Sequence, residues 1–380
     1  MPISTINSNS IGNGTVVAAD ILDGTISSSK LVSANIAGDR LAANTLSNTV
    51  FQTGSVENYM RSQTLDFGMR NRIINGAMRI DQRNAGAAVA TSAAAATYTL
   101  DRWFYFASQS AKFTVQQDSS ANTVAGFTSS LKVVSTSSYT VGSGEIFLIS
   151  QHLEGFNTSD LRWGTANARP VTLSFFVRSS LTGTFGGALR NDNTDRSYPF
   201  SYTIAAADTW EQKFITIPGD TTGTWLTTNG TGIRLTFGLG MGSTFSGTAG
   251  AWAAANYISA TGAVSVVGAN AATWYVTGVQ LEEGSTATSF EYRQHGTELQ
   301  LCQRYYQSFQ VSSDWGNGSG YGMASGTYLT EMRAAPTASY TPSSGSILST
   351  SITSKTYQFQ IQSLSAGSAS IATATFSIEL

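Results

Sequence analysis

Apolar residues return at every fifth position from the start of the chain: Ile6, Ile11, Val16, Ile21, Ile26, Leu31, Ile36, Leu41, Leu46 and Phe51, with small or polar residues such as Gly14, Asp20, Thr25, Lys30 and Asn35 between them. Neither a 3.6-residue nor a 2-residue period fits that spacing, which excludes an amphipathic helix and a simple strand. One apolar side chain in five is too little to close a core within one chain. The pattern therefore predicts a rod in which several copies share an axis, with a homotrimer as the natural closed arrangement. Residues 1–65 are read as a repetitive shaft. A neck follows over 52–70, where Val56, Tyr59 and Met60 would lie on one side of a short helix.

From Tyr98 to about Arg293 the period changes to two. Ile233, Leu235, Phe237, Leu239 and Met241 alternate with Arg234, Thr236, Gly238 and Gly240, and Val171, Leu173, Phe175 and Val177 do the same. Further strands are predicted at 113–116, 131–135, 145–150, 200–204, 210–217 and 274–281. Turn signals at Asn191-Asp192-Asn193, Pro218-Gly219-Asp220 and Asn229-Gly230 separate them. This texture fits a β-sandwich or jelly roll over 66–296. A capping box at Thr297 and Gln300 then predicts a connecting helix over 297–309, with Leu299, Cys302, Tyr306 and Phe309 on one face. Residues 310–380 return to Gly/Ser-rich β texture, Tyr357, Phe359 and Ile361 alternating with glutamines, and are read as a small C-terminal β domain. The fold class is mainly β.

Composition narrows the function. Of 380 residues only 12 % are charged, 21 basic against 23 acidic, about half the usual fraction. No basic field exists to neutralise a phosphate backbone, which excludes nucleic acid as a partner. One cysteine, Cys302, and two histidines, His152 and His295, leave no disulfide framework, thiolate cluster or Ser/His/Asp constellation. Cys302 is read as a small buried apolar residue. The uncharged stretch 235–281 is interrupted by Gly, Ser, Thr and Asn too often to insert in a membrane. The N-terminus carries no secretory signal, so synthesis in a cytoplasm is expected.

Two stretches carry a resemblance. NRIINGAMRIDQR (71–83), with YTLDRW at 98–103, resembles the opening of a jelly roll found in bacteriophage tail fibres and related virion appendages. GVQLEEGSTATSFEYR (278–293), followed by ELQLCQRYYQ (298–307), resembles its close and connecting helix. The five-residue texture resembles tail-fibre shafts. The resemblance implies a virion protein whose N-terminus joins a phage tail or baseplate protein and whose C-terminal domain forms the tip. The jelly roll is in turn similar to carbohydrate-binding modules, which implies a host surface polysaccharide as partner. Such modules often hold a structural calcium; here Thr277 and Gly278 stand where a carboxylate is common, leaving Asp81, Glu282 and Glu283 as possible ligands. No metal and no cofactor is expected.

The chemistry of the residues favours binding over catalysis. Glycoside hydrolysis needs two carboxylates across a cleft, and the candidates are Asp192, Asp195, Glu145, Glu154, Asp160, Glu211, Glu282 and Glu283. Glu282 and Glu283 are adjacent and would point to opposite faces of a regular strand, while Asp192 and Asp195 lie in a turn-like sequence. A non-enzymatic protein is expected. Sugars present flat apolar faces and ordered hydroxyls, which aromatic rings and amide edges recognise. The candidate glycan contacts are Trp225, with Asn229, in 221–231; Trp252, Asn256 and Tyr257, with Phe245, in 243–271; and Trp315 and Tyr321 at 315–322. Trp103, Trp163, Trp210 and Trp274, in or beside strand patterns, are expected in the core. A collar or baseplate adaptor and a polysaccharide depolymerase are the rival functions.

Overall fold

The computed structural model describes residues 69–120, 124–312, 321–342, 346–362 and 370–380. The chain divides between Asp66 and Phe67, and every described residue belongs to the second unit. The five-residue repeat, the neck up to residue 68 and Trp315 lie outside the described residues.

Up to residue 283 the chain forms β1 (Val89–Ala90), β2 (Thr97–Tyr98), β3 (Phe104–Ala107), β4 (Phe113–Asp118), β5 (Ser130–Ser135), β6 (Ile146–Glu154), β7 (Val171–Ser179), β8 (Gly183–Arg190), β9 (Ser197–Ile204), β10 (Glu211–Ile217), β11 (Thr231–Met241), β12 (Ser246–Gly247), β13 (Ser259–Ala260) and β14 (Thr273–Glu283). Two six-stranded sheets result, ordered β1-β4-β5-β14-β7-β10 and β2-β3-β6-β11-β8-β9. Their alternating apolar residues meet between them, as the period of two requires. Phe237 of β11 lies at the centre, its ring 5.1 Å from Phe175 and 5.5 Å from Trp274. Trp103 and Trp274 are fully buried. Trp210 instead lies half-buried on the outer face, 6.2 Å from Tyr275, because it precedes β10 and misses the inward register.

The uncharged stretch 235–281 follows from what each part covers. The outward positions of β11 include Gly238, where an added Cβ would stand 2.8 Å from Ser259 Oγ. The parallel pair β12–β13 lies over this face, and Ile258 buries itself there against Phe104 and Leu148, with Phe245 packed alongside. The stretch 243–271, expected as an exposed binding loop, is thus partly a cover whose Val266 and Val267 enter the main core. Where this stretch is buried, at Ile258, Ala260, Val266 and Val267, a charge would be costly.

The two segments with the phage-like resemblance close on each other. Asn71 Nδ2 donates to Val279 O at 3.0 Å, and its Oδ1 accepts from Leu281 N. Asn75 binds Ile80 O and Asp101 O, while Trp103 Nε1 donates to Asn75 O. Opening segment, β3 approach and closing strand are therefore held by amides that satisfy an otherwise unpaired backbone.

Among the described residues the α-helix is α1 (His295–Gln303). It begins two residues before and ends six residues before the predicted span 297–309. Gln294 occupies the N-cap without a side-chain bond, so the Thr297 capping box is not formed. Tyr306 and Phe309 are strand residues instead: β15 (Tyr306–Ser312) pairs with the last strand, and that ladder captures the chain before the helix can continue. Cys302 is buried, as predicted. Beyond it lie β16 (Tyr321–Thr327), β17 (Thr337–Pro342), β18 (Ser346–Ile352), β19 (Thr356–Gln362) and β20 (Ser370–Ser377), in sheets β15-β20-β17 and β16-β19-β18. They bury Phe359, Ile361, Ala374 and Phe376 in a separate core. Glu379 joins this part to the sandwich by pairing with Arg83 at 2.5 Å and with the buried Arg102. Glu154 takes two bonds from Arg304, at 2.9 and 2.7 Å, and one from Tyr305 Oη at 2.6 Å. Burial opposes ionisation of Glu154, but Arg304 and Tyr305 outweigh it and hold its pKa below the ordinary value. Among the described residues no helix is long and apolar enough to cross a membrane.

Candidate glycan-binding site

Three tryptophans converge at one end of the sandwich. Trp163 follows a short 3-10 turn at Ser159–Leu161, Trp225 lies in the loop after β10, and Trp252 lies in the loop after β12. Their rings stand nearly perpendicular: Trp163 is 4.7 Å from Trp225 and 5.3 Å from Trp252, and the latter two are 5.5 Å apart. Each indole N–H is engaged within the fold. Trp163 donates to Arg169 O at 2.8 Å, Trp225 to Thr222 O at 3.1 Å and Trp252 to Pro218 O at 2.7 Å. Trp163 is 7 % exposed, whereas Trp225 and Trp252 are half-buried and pack on the core from outside. With the N–H groups satisfied, what these two rings leave at the surface is carbon. Edge-to-face packing on a buried ring fixes them in place, so little rotamer freedom remains to be lost on binding.

The loops are held by their polar residues. Asp220, buried, accepts two bonds from Arg196, each 2.7 Å, and also accepts from Thr222 N and Oγ1. Arg196 also faces Trp252, its guanidinium carbon 6.0 Å from the ring centroid, and Tyr198 packs 5.3 Å from the same ring. Asn191 donates to Asp195 Oδ1 at 2.5 Å and to Thr224 O at 3.1 Å. The turn signals at 191–193 and 218–220 thus mark loops that support the tryptophans.

Of the residues singled out from sequence, the fold brings Trp225 and Trp252 together. Asn256 lies elsewhere in the same loop, its Oδ1 accepting from Arg190 Nη1 at 2.6 Å. Tyr257 packs flat on Gly247, where a Cβ would stand 2.2 Å from its ring. Asn229 is exposed and gives its backbone oxygen to Arg333. Tyr321 opens β16, with only its backbone described. Sequence reasoning placed Trp163 in the core, where it is, but not beneath the other two; it read Asp220 only as part of a turn and passed over Arg196 and Tyr198. Nothing local to those residues announces their partners.

The carboxylates weighed for catalysis are tied individually. Asp192 pairs with Arg234 at 2.6 Å, Asp160 with Arg72 at 2.5 Å and Glu211 with Lys213 at 2.6 Å. Glu145 accepts from Tyr139 and Gly142 N. Glu282 shares the outer face with Gln280 and is buried against Thr288, while Glu283, exposed at the strand end on the side of Leu281, pairs with Arg169, so the two do point to opposite faces. Asp81 accepts from Asn84 N and Gly86 N within its own turn. Asp81, Glu282 and Glu283 therefore do not converge, and among the described residues no group of three His, Cys, Asp or Glu side chains is placed to hold a metal.

No family model matches the chain, and no curated protein matches its sequence. Among solved structures it is similar to a sugar-binding protein from Bacteroides thetaiotaomicron, described as putative, at 11 % identity over 56 % of this chain and 100 % of that one, TM-score 0.34. It is similar to the enzymatically active domain of bacteriophage CBA120 tailspike protein 4 at 10 % identity over 57 % of this chain, TM-score 0.30, a match that spans 22 % of the tailspike chain. It is also similar to a family 11 carbohydrate-binding module from Clostridium thermocellum, at 11 % identity over 55 % of this chain and 100 % of that one, TM-score 0.26.

Proposed function

We propose that the protein is a non-enzymatic phage tail fibre that recognises a host cell-surface glycan and attaches the virion. The observation that carries the glycan part is the pair Trp225 and Trp252, two half-buried rings fixed on a buried third. Their surface carbon adjoins polar loops, the combination a sugar face requires. Individual engagement of the candidate carboxylates supports binding without cleavage. The virion part rests on the resemblance of residues 71–83 and 278–307 to phage appendages and on the five-residue repeat. In a trimeric fibre, several shallow sites raise avidity without a tight single one.

The test is binding of the labelled full chain to host cells before and after periodate oxidation of their surface polysaccharide. Oxidation should abolish binding, and Trp225→Ala and Trp252→Ala should each weaken it at least about tenfold, as loss of an aromatic anchor does. Binding that survives both treatments would sink the reading.

One observation favours the collar or baseplate adaptor as a second reading. Phe127, Phe176, Phe290 and Tyr292 cluster on the outer face of the β14–β7 sheet at 5.0–5.4 Å. Tyr292 and the nearby Phe214 of β10 are 55 % and 57 % exposed. An apolar sheet face of this kind suits a protein partner. Capture of a purified tail component, lost on Phe214→Ser, would favour assembly over attachment.

A further inference from the structure

Arg190, the last residue of β8, stands directly opposite Arg234 of β11 in the ladder. Like charges directly opposite each other destabilise a sheet. Arg234 has a counter-ion, Asp192, whose Oδ1 lies 2.6 Å from its Nη2. Arg190 has none: it is 6 % exposed, it makes no ion pair among the described residues, and the group facing it is the neutral Asn256 Oδ1 at 2.6 Å. Nε of both arginines is buried without a hydrogen-bond partner. A buried cation left with one neutral acceptor is costly, and packing gives no reason to place it beside a second cation. His152, opposite Arg234 on the other side, is buried and held neutral, with Nδ1 3.0 Å from the Leu380 backbone oxygen. Burial first, then Arg234 and Arg190, depress its pKa. Burial, and after it Arg234, also pushes Arg190 down to about 9, which leaves it charged at neutral pH.

We propose that Arg190 and Arg234 bind an oxyanion on the recognised glycan, a carboxylate or phosphate, so that the protein selects an acidic polysaccharide. Guanidinium groups suit these anions because their paired N–H donors match two oxygens at once. The Asn256 amide oxygen occupies the position a ligand oxygen would take. Beside the buried Arg190, Asn256 is half-buried and Arg234 and Asp192 are partly exposed. The site belongs to the same loops as the tryptophans: Arg190 leads into Asn191, which holds Thr224 beside Trp225, and Asn256 follows Trp252 in one loop. The inference rests on the glycan-binding reading and names the class of sugar.

The experiment is calorimetric titration of the full chain with polygalacturonate, polysialate and a glycerol-phosphate teichoic acid. Controls are the carboxyl-reduced forms of the first two and neutral dextran. At least one anionic polymer should bind at least about tenfold tighter than its uncharged control, as charge-assisted bonds imply. The carboxylate and phosphate polymers separate the two sources of charge. Arg190→Met should erase that preference with an unchanged or higher thermal midpoint, since it removes an uncompensated charge. Asn256→Asp, which supplies an internal counter-ion, should also raise the midpoint and block the anionic polymer; it keeps the test open if Arg190→Met does not fold. Equal binding of charged and uncharged polymers overturns the inference and leaves the glycan reading standing. Failure of every polymer to bind the folded wild type overturns both. A midpoint lowered by Arg190→Met with the preference intact makes Arg190 structural, and loss of oligomeric state in that variant assigns the pair to a contact between copies; either overturns the inference.

Discussion

His152 shows how one buried side chain links the two ends of the described chain to pH. It sits between Phe104, whose ring lies edge-on at 4.9 Å, and the Leu380 backbone oxygen. Burial, with Arg234, Arg190 and Arg102 nearby, holds its pKa well below the usual 6.5. The unfolded chain therefore binds the proton more readily than the folded one. The stabilisation is complete above about pH 6.5 and is lost as pH falls below it, at a rate of at most about 1.4 kcal/mol per pH unit. Thermal midpoints taken at about pH 7.5 and 5.5 should differ clearly in the wild type and much less in His152→Gln. An equal drop in both proteins would show that other groups carry the dependence.

At the scale of elements, glycine decides where the chain can bend and what can lie over it. In β14 the inward residues change parity, from Trp274 and Val276 to Val279 and Leu281, across a register shift between Thr277 and Gln280. Gly278 makes this bulge with φ of 60°, and a Cβ there would stand 2.6 Å from Phe127 Cζ. The change of parity is visible in the sequence. Gly238 serves differently, as the floor on which β13 rests. Valine is ordinarily a better strand residue than glycine, yet Gly238→Val should lower stability by about 1–3 kcal/mol, the cost of overpacking. It should also raise protease cleavage between residues 246 and 260. Limited proteolysis alongside denaturant unfolding tests this, and a stabilised variant would refute the covering role of that segment.

For the whole molecule, the proposed trimer rests on the five-residue repeat, in which one apolar residue in five is too little to close a core within one chain. Sedimentation equilibrium of the full chain should return three times the 40.1 kDa chain mass, and replacing Ile11, Ile21 and Leu31 together with Ser should shift it towards monomer. A monomeric wild type would remove the fibre from consideration. The proposed attachment would gain from the same property, since linking several copies of one site raises avidity without any new contact.

Features that depend on local period were legible along the chain. Strict alternation in β7 and β11, the opposed faces of Glu282 and Glu283 and the burial of Cys302 follow from neighbours a few residues apart. Helix length did not follow. Leu299, Cys302, Tyr306 and Phe309 keep a helical spacing, but pairing of Tyr306 with Ser377 supplies a ladder that the spacing cannot anticipate. The candidate site was legible in part: Trp225 and Trp252 stand out because they lie in loop-like sequence. Only the tertiary structure set them on Trp163, tied Arg196 to Asp220 and placed Arg190 opposite Arg234. Those meetings are fixed by strand register and loop closure between distant segments, where the energy lies in contacts that no local pattern encodes.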